Sequence, residues 1–252
     1  MATIAVGDIH GCILALIDLL GQISRQVTPG DRVVFLGDYI DRGPDTRACI
    51  DTILQFREET PADVVRLCGN HEDWLLRTLR DDHRHSWLLG MEAFETIRSY
   101  SVDAAEALHA AALEAGANLV LGDCALPYDL FFEAMPANHL EFLEGLLPCD
   151  LGPDCVCAHG GLDPGEPSLN RQPREAWLWG SDGFPEQYAG SETVVYGHRN
   201  NAALDASGWP GPRIVGRTIG IDTIAHGVLT AVRMPDGAIW QSARYAPCQR
   251  AR

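Results

Sequence analysis

Residues 37–44 read GDYIDRGP and directly follow the apolar run Arg32–Leu36. This short β-branched run predicts a buried strand, and the glycine after it permits a sharp backbone turn. Asp38, Asp41 and Arg42 then place two carboxylates and a guanidinium immediately beyond the strand. Charged side chains at this position indicate a ligand site, because open α/β sheets bind ligands beyond the carboxyl ends of their strands.

The same pattern of an apolar run, a small residue and a polar side chain recurs at four other places along the chain. The four polar side chains, each preceded by a glycine or an alanine, are Asp8, Asn70, His159 and His198. His10 joins them two residues after Asp8. We therefore expect five strand ends to deliver these side chains to one edge of the fold.

The residue types indicate what this edge binds. Carboxylate and amide oxygens together with imidazole nitrogens suit divalent ions such as Mn²⁺, Fe²⁺ or Zn²⁺. Two aspartates, three histidines and one asparagine are too many for one catalytic metal with open positions. They fit two metals about 3.5–4 Å apart that share a bridging carboxylate. The predicted ligands of this two-metal site are Asp8, His10, Asp38, Asn70, His159 and His198.

The first seventy residues alternate between β-rich runs and runs with apolar residues at helical spacing. The predicted strands are Ala2–Val6, Arg32–Leu36 and Val64–Cys68. The predicted helices are Cys12–Val27, Asp45–Glu58 and a third that begins with Trp74–Leu79. This order is typical of parallel βαβ units.

Residues 81–149 are rich in Ala, Leu and Glu and predict an inserted helical segment, which either only packs or also contacts substrate. Further strands are predicted at Cys155–Ala158, Thr193–Tyr196, Ile214–Ile221, Val228–Arg233 and Ala238–Ser242. The sequence PDG at 235–237 predicts a hairpin between the last two. We expect one α/β domain over residues 1–252, with a helical insert at about 81–149.

The overall composition restricts the partners. With 35 acidic and 19 basic residues, the chain has a net charge of −16 and is expected to repel nucleic acids. It contains no apolar run of about 18 residues and no cationic segment before the first motif, so we expect neither a membrane span nor a secretory signal. The eight scattered cysteines lack a C-x-x-C motif and indicate thiols of a reducing cytoplasm, with a redox-active thiol or a disulfide left open.

The ordered motifs GDIHG (7–11), GDYIDRGP (37–44), GNHE (69–72), HGG (159–161) and GH (197–198) resemble the metallophosphoesterase superfamily. Within it they are most similar to the phosphoprotein phosphatase branch and its bacterial serine/threonine phosphatases. IDT at 221–223 and LTA at 229–231 also resemble the bacterial members. The resemblance implies an α/β sandwich of two mixed sheets flanked by helices. It also implies two divalent metal ions between the sheets, Mn²⁺ first, with Fe or Zn as alternatives.

The resemblance assigns roles to individual residues. Asp8, His10 and Asp38 would hold the first metal, and Asp38 would bridge to a second metal held by Asn70, His159 and His198. A metal-bridging hydroxide would attack the phosphorus, Arg42 and Asn70 would hold the phosphoryl oxygens, and His71, oriented by Asp41, would protonate the leaving alkoxide.

Four neighbouring residues also have simpler interpretations. Without the resemblance, Asp41 and Arg42 are interpreted equally well as an ordinary surface ion pair. Glu72 and Asp73 are expected to be acids at the start of a helix, where the helix dipole favours negative charge, rather than catalysts.

One departure from the family pattern concerns phosphate binding. Phosphoprotein phosphatases place a second phosphate-binding arginine between the HGG and GH motifs, but this chain has no Lys or Arg between Glu175 and Gly197. Arg174 and Arg199 are the two candidates to replace it.

Three functions remain open at this point. The first is a phosphomonoesterase acting on phosphoserine, phosphothreonine or phosphotyrosine in proteins or peptides. The second is a hydrolase of dinucleoside polyphosphates, which resembles the bacterial diadenosine tetraphosphatases. The third is a non-catalytic binding module stabilised by metal. The sequence leaves the oligomeric state open.

Overall fold

The computed structural model describes residues 1–246 of the chain. The first part alternates strands and helices in the order β1 (Thr3–Val6), α1 (Ile13–Ile23), β2 (Arg32–Phe35), α2 (Thr46–Glu59), β3 (Asp63–Arg66) and α3 (Asn70–Arg80). This order confirms the predicted βαβ pattern. The main difference is that α3 begins at Asn70 and not near Trp74. It begins there because the carboxylate of Glu72 accepts a hydrogen bond from the Gly69 N–H at 3.0 Å and so caps the first turn.

The predicted insert is helical. Its helices are α4 (Ser86–Gly90), α5 (Phe94–Tyr100), α6 (Val102–Ala115), α7 (Asn118–Leu121), α8 (Asp129–Phe132) and α9 (Ala137–Glu144). Helices α5 and α9 pack against α2, and α4 packs against α3. The insert therefore lies against α2 and α3, the helices that follow β2 and β3.

The remaining elements are mostly strands. They are β4 (Cys149–Leu151), β5 (Val156–Ala158), α10 (Arg174–Trp179), β6 (Val194–Tyr196), β7 (Ala202–Leu204), β8 (Pro210–Val215), β9 (Thr218–Gly220), β10 (Thr230–Met234) and β11 (Ala238–Gln241). The predicted single strand Ile214–Ile221 was wrong, because the chain turns at Gly216 (φ 56°) and forms the β8–β9 hairpin. The hairpin predicted at 235–237 is confirmed between β10 and β11.

The strands form two sheets. The first has the order β11-β10-β1-β2-β3 and the second has the order β4-β5-β6-β9-β8-β7. Strands β1, β2 and β3 are parallel, and so are β5, β6 and β9, whereas the outer strands are antiparallel. Two mixed sheets with flanking helices confirm the predicted α/β sandwich.

The core consists of layers. Buried residues of the two sheets pack against each other, including Ala5, Val34, Leu36, Cys157, Val195 and Ile221. Helices α1 and α2 and the insert cover the other face of the first sheet through residues such as Leu16, Ile50 and Phe131. Burial on both faces explains why the central strands are continuous apolar runs, and it holds their ends in fixed positions.

Two expectations on environment can be compared with the structure. Cys49, Cys68, Cys124, Cys149, Cys155 and Cys157 are free thiols, as predicted for these six. Cys12 is disulfide-bonded, so the expectation of a free thiol was wrong there and the alternative left open applies. Within residues 1–246, no helix has both the length and the apolar character needed to span a bilayer.

Candidate metal centre

Five strand ends converge at one edge of the sandwich. Asp8 and Asp38 follow β1 and β2, Asn70 begins α3 after β3, and His159 and His198 follow β5 and β6. The small residues before them leave the necessary space: a Cβ at Gly69 would overlap Oδ1 of Asp38, and one at Gly197 would overlap Oδ1 of Asp8. Five of the six predicted ligands are at most 2% exposed, and His198 is half-buried.

Asp38 lies between two groups of ligand atoms. One group contains His10, Asp38 and His71, the other contains Asp38, His159 and His198, and within each group the atoms lie within 4.8 Å of one another. Asp38 Oδ2 is 3.4 Å from His10 Nε2, and Asp38 Oδ1 is 3.3 Å from His159 Nε2. Each carboxylate oxygen thus faces a different group, which is the geometry of a bridging ligand.

Backbone carbonyls orient two of the histidines. His10 Nδ1 donates to the carbonyl of Ile40 at 2.8 Å, and His159 Nδ1 donates to that of Leu36 at 3.1 Å. Each Nε2 is thereby directed into the site. Metal-binding histidines characteristically donate their second ring N–H in this way.

The pKa shifts of the buried acids and histidines indicate that the site binds cations. Burial together with the charge of Asp222 raises the pKa of Asp8 well above its usual value. Burial disfavours the charged form of Asp38, but His159 and His71 outweigh it and hold the pKa of Asp38 well below its usual value. Burial also opposes the charge on His159, yet Asp38 raises its pKa to about 9. Buried acids placed this close together need positive charge between them, so the donor set fits two divalent ions.

Asp8 and Asn70 complete the predicted ligand set by different contacts. Asn70 Oδ1 lies 2.8 Å from His159 Nε2. The carboxylate of Asp8 accepts the backbone N–H of His198 at 3.0 and 3.2 Å. It lines a cavity of about 240 Å³, which we call the metal-centre cavity. Its lining residues are Asp8, Asp38, Arg42, His198, Arg199, Asn200, Asp222 and Ala225.

His71 and Asp41 form a buried pair beside the ligands. His71 Nδ1 lies 2.7 Å from Asp41 Oδ2. The other ring nitrogen, Nε2, has no hydrogen-bond partner among the described residues and lies 3.7 Å from Asp38 Oδ2. Burial lowers the pKa of His71, but Asp38 and the bond to Asp41 outweigh it and raise that pKa overall. Asp41 is fully buried, so the interpretation of Asp41 and Arg42 as a surface ion pair was wrong.

The helical insert holds Asp41 in place. Trp87 Nε1 donates to Asp41 Oδ2 at 2.9 Å, and Thr96 Oγ1 donates to Asp41 Oδ1 at 2.7 Å. Thr96 Oγ1 also accepts the backbone N–H of Asp41 at 2.7 Å. Sequence reasoning missed both residues, because a Trp and a Thr within helical runs are ordinary core residues. The insert therefore supports the His71–Asp41 pair in addition to packing.

Glu72 connects two of the strand ends. Its carboxylate accepts the backbone N–H groups of Asp38 and Tyr39 at 2.9 Å and that of Gly69 at 3.0 Å. Burial and the nearby charge of Asp38 raise the pKa of Glu72 to about 7. The predicted position at a helix start is confirmed, but the residue also ties the loop after β2 to the loop after β3.

The loop after β6 has unusual backbone geometry. His198, Arg199 and Asn200 have φ values of 58°, 62° and 48°. Each such non-glycine residue costs on the order of 1–3 kcal/mol and persists only where its surroundings impose it. Here Asn201 Nδ2 donates to the carbonyls of Gly197 and His198.

Asp222 also constrains this turn. Its Oδ2 accepts the N–H of Asn200 at 2.6 Å, while its Oδ1 is buried without a hydrogen-bond partner among the described residues. Strain enforced in this way is typical of functional sites.

The three candidate phosphate-binding arginines are in different environments. Arg42 Nη1 lies 2.9 Å from His10 Nε2 and lines the metal-centre cavity. Arg174 is bound to the carboxylate of Asp73. Arg199 lines the metal-centre cavity together with Arg42.

A family model for calcineurin-like phosphoesterases matches residues 1–227. The chain belongs to the calcineurin-like phosphoesterase family. It is a metal-dependent phosphoric ester hydrolase. Members of this family use two metals, in agreement with the two ligand groups that meet at Asp38.

Two relatives are similar to this phosphoesterase in sequence, one along nearly the whole chain and the other over less than half of it. The bis(5'-nucleosyl)-tetraphosphatase PrpE (asymmetrical) of Oceanobacillus iheyensis is 25% identical over 92% of this chain and 88% of its own length. Serine/threonine-protein phosphatase 1 of Salmonella typhimurium is 36% identical over 41% of this chain and 45% of its own length.

Solved structures share the fold of this phosphoesterase. A candidate diadenosine tetraphosphatase superposes with a TM-score of 0.61 over 95% of this chain and 92% of that one, at 21% identity. The cold-active protein-tyrosine phosphatase of a psychrophilic Shewanella superposes with a TM-score of 0.54 over 96% and 80%, at 16% identity.

Proposed function

We propose that this phosphoesterase hydrolyses dinucleoside polyphosphates, with water as the nucleophile and a nucleoside monophosphate and a nucleoside triphosphate as the products of a tetraphosphate. Similarity along nearly the whole chain to a bis(5'-nucleosyl)-tetraphosphatase supports this choice. It takes precedence over the protein phosphatase expected first from the motifs, whose relative matches 41% of the chain.

A large cavity next to the metal centre carries the proposal. It measures about 540 Å³ and its lining, which is mainly apolar, includes Ile13, Leu14, Pro44, Phe94 and Tyr245. We call it the apolar cavity. Leu14 is 60% exposed and so offers apolar surface to a ligand. A pocket with an aromatic ring and aliphatic side chains suits a nucleoside, because bases bind by stacking and apolar contact.

Arg42 joins the two cavities, since it lines both the apolar cavity and the metal-centre cavity. It is the only cation among the described residues that line the apolar cavity. The phosphate of a nucleoside bound there is therefore expected to lie at Arg42 and next to the metal ligands. Attack on this first phosphate gives asymmetrical products.

The chain's own residues supply the rest of the proposed mechanism. Bound metals, Mn²⁺ first with Fe or Zn as alternatives, would lower the pKa of a water toward neutrality. Arg42 would bind the phosphoryl oxygens with its planar fork, and Asn70 would add its side-chain amide. His71 would donate the Nε2 proton to the departing oxygen while Asp41 holds the ring.

Product analysis tests this function. Purified protein with Mn²⁺ and diadenosine tetraphosphate is expected to release AMP and ATP in equal amounts, separated by anion-exchange chromatography. The variant Leu14→Ala should lower kcat/KM for the dinucleotide by roughly 5- to 30-fold, because about 1–2 kcal/mol of apolar contact is lost. It should leave hydrolysis of a small aryl phosphate unchanged.

Leu113→Ala provides the matched control, because Leu113 is a 72% exposed leucine on α6 that does not line the apolar cavity. If no divalent metal supports turnover of the dinucleotide, the proposal is overturned. If both leucine variants lower kcat/KM equally, the apolar cavity does not bind the nucleoside.

A second candidate is a phosphatase of phosphoserine and phosphothreonine peptides, and of phosphotyrosine. The 36% identity to serine/threonine-protein phosphatase 1 over 104 residues favours it. Faster release of phosphate from a phosphopeptide than of AMP from the dinucleotide would select this candidate. A non-catalytic role is disfavoured, because His71, Asp41 and Arg42 are all in place beside the ligands.

A further inference from the structure

The residues around Arg199 form a second route away from the metal centre. Arg199, His198 and Asn200 line the metal-centre cavity and also a neighbouring cavity of about 270 Å³. We call the latter the side cavity. Its other lining residues include Phe184, Tyr196, Asn201 and Arg213. The apolar cavity, the metal-centre cavity and the side cavity thus adjoin one another in this order, with Arg42 lining the first two and Arg199 lining the last two.

Arg199 is available for a ligand. Within residues 1–246 its guanidinium makes no side-chain hydrogen bond or ion pair, and the residue is exposed. Arg174 is bound to Asp73, and Arg213 is bound to Glu186. Arg42, the other described cation that lines the metal-centre cavity, contacts His10 Nε2. Arg199 is therefore the described cation of this cavity that has no side-chain partner, and a guanidinium fork is suited to phosphate oxygens.

The backbone around Arg199 is held in its unusual conformation by residues on both sides. Asn201 binds the two carbonyls before Arg199, and Asp222 binds the N–H after it. Arg199 directly follows the predicted metal ligand His198 in the sequence, and these bonds hold the turn that sets its position relative to the metal centre. Asn201 and Asp222 act here as positioning residues.

A second observation points to a ligand in the side cavity. The hydroxyl of Tyr196 is buried and makes no hydrogen bond of regular geometry within residues 1–246, although Thr218 and Arg213 lie beside it. Buried hydroxyls are rarely left without a partner. A phosphate oxygen in the side cavity would provide one.

We propose that Arg199 is the second phosphate-binding arginine of this enzyme, and that it holds the phosphate chain of the leaving nucleotide at the mouth of the side cavity. The identity of the ligand rests on the proposed hydrolysis of dinucleoside polyphosphates. In this arrangement Arg42 binds the phosphate under attack, and Arg199 binds the phosphates beyond the bond that breaks.

Inhibition by inorganic tripolyphosphate tests Arg199 without a nucleotide. Hydrolysis of a small aryl phosphate is measured at a fixed free Mn²⁺ concentration, with tripolyphosphate or orthophosphate as the inhibitor. Arg199→Asn removes the cation while keeping a residue that tolerates the left-handed backbone. It should raise the inhibition constant of tripolyphosphate roughly 10- to 100-fold, the worth of a charge-assisted hydrogen bond, and leave that of orthophosphate little changed.

Two variants complete the experiment. Arg199→Lys should recover part of the tripolyphosphate affinity, because it restores the charge without the fork. Arg217→Asn is the matched control, since Arg217 is an exposed arginine in the β8–β9 turn and lines neither cavity. Calorimetric titration with tripolyphosphate should give the same order of affinities.

The outcomes separate this assignment from the proposed function. If Arg199→Asn and the wild type bind tripolyphosphate equally well, the assignment is overturned even where diadenosine tetraphosphate is a substrate. If the dinucleotide is not hydrolysed but Arg199→Asn still binds tripolyphosphate more weakly than the wild type, the proposed function fails and the phosphate-binding role of Arg199 stands.

Discussion

Three buried histidines of the site differ in the group that binds their Nδ1 atom. His10 and His159 each donate Nδ1–H to a backbone carbonyl, whereas His71 directs Nδ1 to the carboxylate of Asp41. A carbonyl fixes a neutral ring as a metal ligand, and a carboxylate stabilises a protonated ring as an acid. His71 is also one of the residues grouped around Asp38, so its assignment as the acid requires a test.

Leaving-group dependence provides this test. His71→Asn is expected to lower kcat about 10²- to 10⁴-fold for an alkyl phosphate, because the alkoxide needs a proton to depart. The loss should be much smaller for 4-nitrophenyl phosphate, whose phenolate departs without one. Steady-state kinetics across phosphates of graded leaving-group pKa would measure the difference.

Metal content serves as the control for His71→Asn. The variant should retain the same amount of Mn²⁺ as the wild type by elemental analysis. Loss of one metal equivalent, with equal losses of kcat for all leaving groups, would show that His71 is a ligand and not the acid.

At the scale of secondary-structure elements, the site depends on connections between loops that are distant in sequence. Glu72 in α3 binds the loop after β2, and Thr96 in α5 binds Asp41 from within the insert. The side chain of Asn201 binds the carbonyls of the loop after β6. The strands supply the ligands, and the helices and loops around them hold the ligands and their partners in position.

The link between the insert and Asp41 gives a second prediction. Thr96→Val removes the hydroxyl that donates to Asp41 Oδ1 and accepts its N–H. The free energy of unfolding should fall by about 1–3 kcal/mol, since buried groups lose their partners. We expect kcat for alkyl phosphates to fall roughly tenfold as His71 loses its fixed orientation. Thermal unfolding and kinetics measure the two effects.

A buried threonine elsewhere separates these effects. Thr78 in α3 is also buried, and its hydroxyl donates to the carbonyl of Arg84. Thr78→Val should lower stability without lowering kcat at a temperature where the protein is folded. Equal kcat for both variants would contradict a role of the insert in orienting His71.

At the scale of the whole molecule, the distribution of charge makes metal binding part of folding. The chain carries a net charge of −16, and Asp8, Asp38 and Asp222 are buried at one edge of the sandwich. Bringing these acids together costs free energy in the absence of cations. Metal ions bound between the sheets should therefore stabilise the fold as well as enable the reaction.

Metal removal tests this coupling. The chelated protein is expected to have a lower Tm, and Mn²⁺ at about 100 times its dissociation constant should raise it by roughly 5–10 °C per occupied site. Differential scanning calorimetry with and without Mn²⁺ measures the shift. Asp38→Asn should abolish most of it, because both ligand groups lose the bridging carboxylate. A shift of the same size in this variant would contradict the bridging role.

The sequence alone determined the class of fold and the positions of the six predicted ligands along the chain. Five of the six predicted ligands follow an apolar run and a small residue, and this local pattern by itself predicts a side chain at a strand end. The parallel βαβ order is also a local property, because it follows from the periodicity of consecutive segments. For these reasons the sequence is sufficient to assign Asp8, Asp38 and His159 to strand ends.

Only the tertiary structure decided which groups meet. The contacts of Asp41 with Thr96, of Glu72 with Asp38 and of Asp222 with Asn200 join segments 22 to 55 residues apart. The proposal that Arg199 and not Arg174 binds phosphate likewise rests on the contact of Arg174 with Asp73. Such pairings depend on how two sheets pack and how loops close, and no pattern within one segment specifies them. The convergence of ligand-type side chains around Asp38 could therefore be predicted from the sequence. The place of His71 in one of the two groups, and the residues that orient the groups, could not.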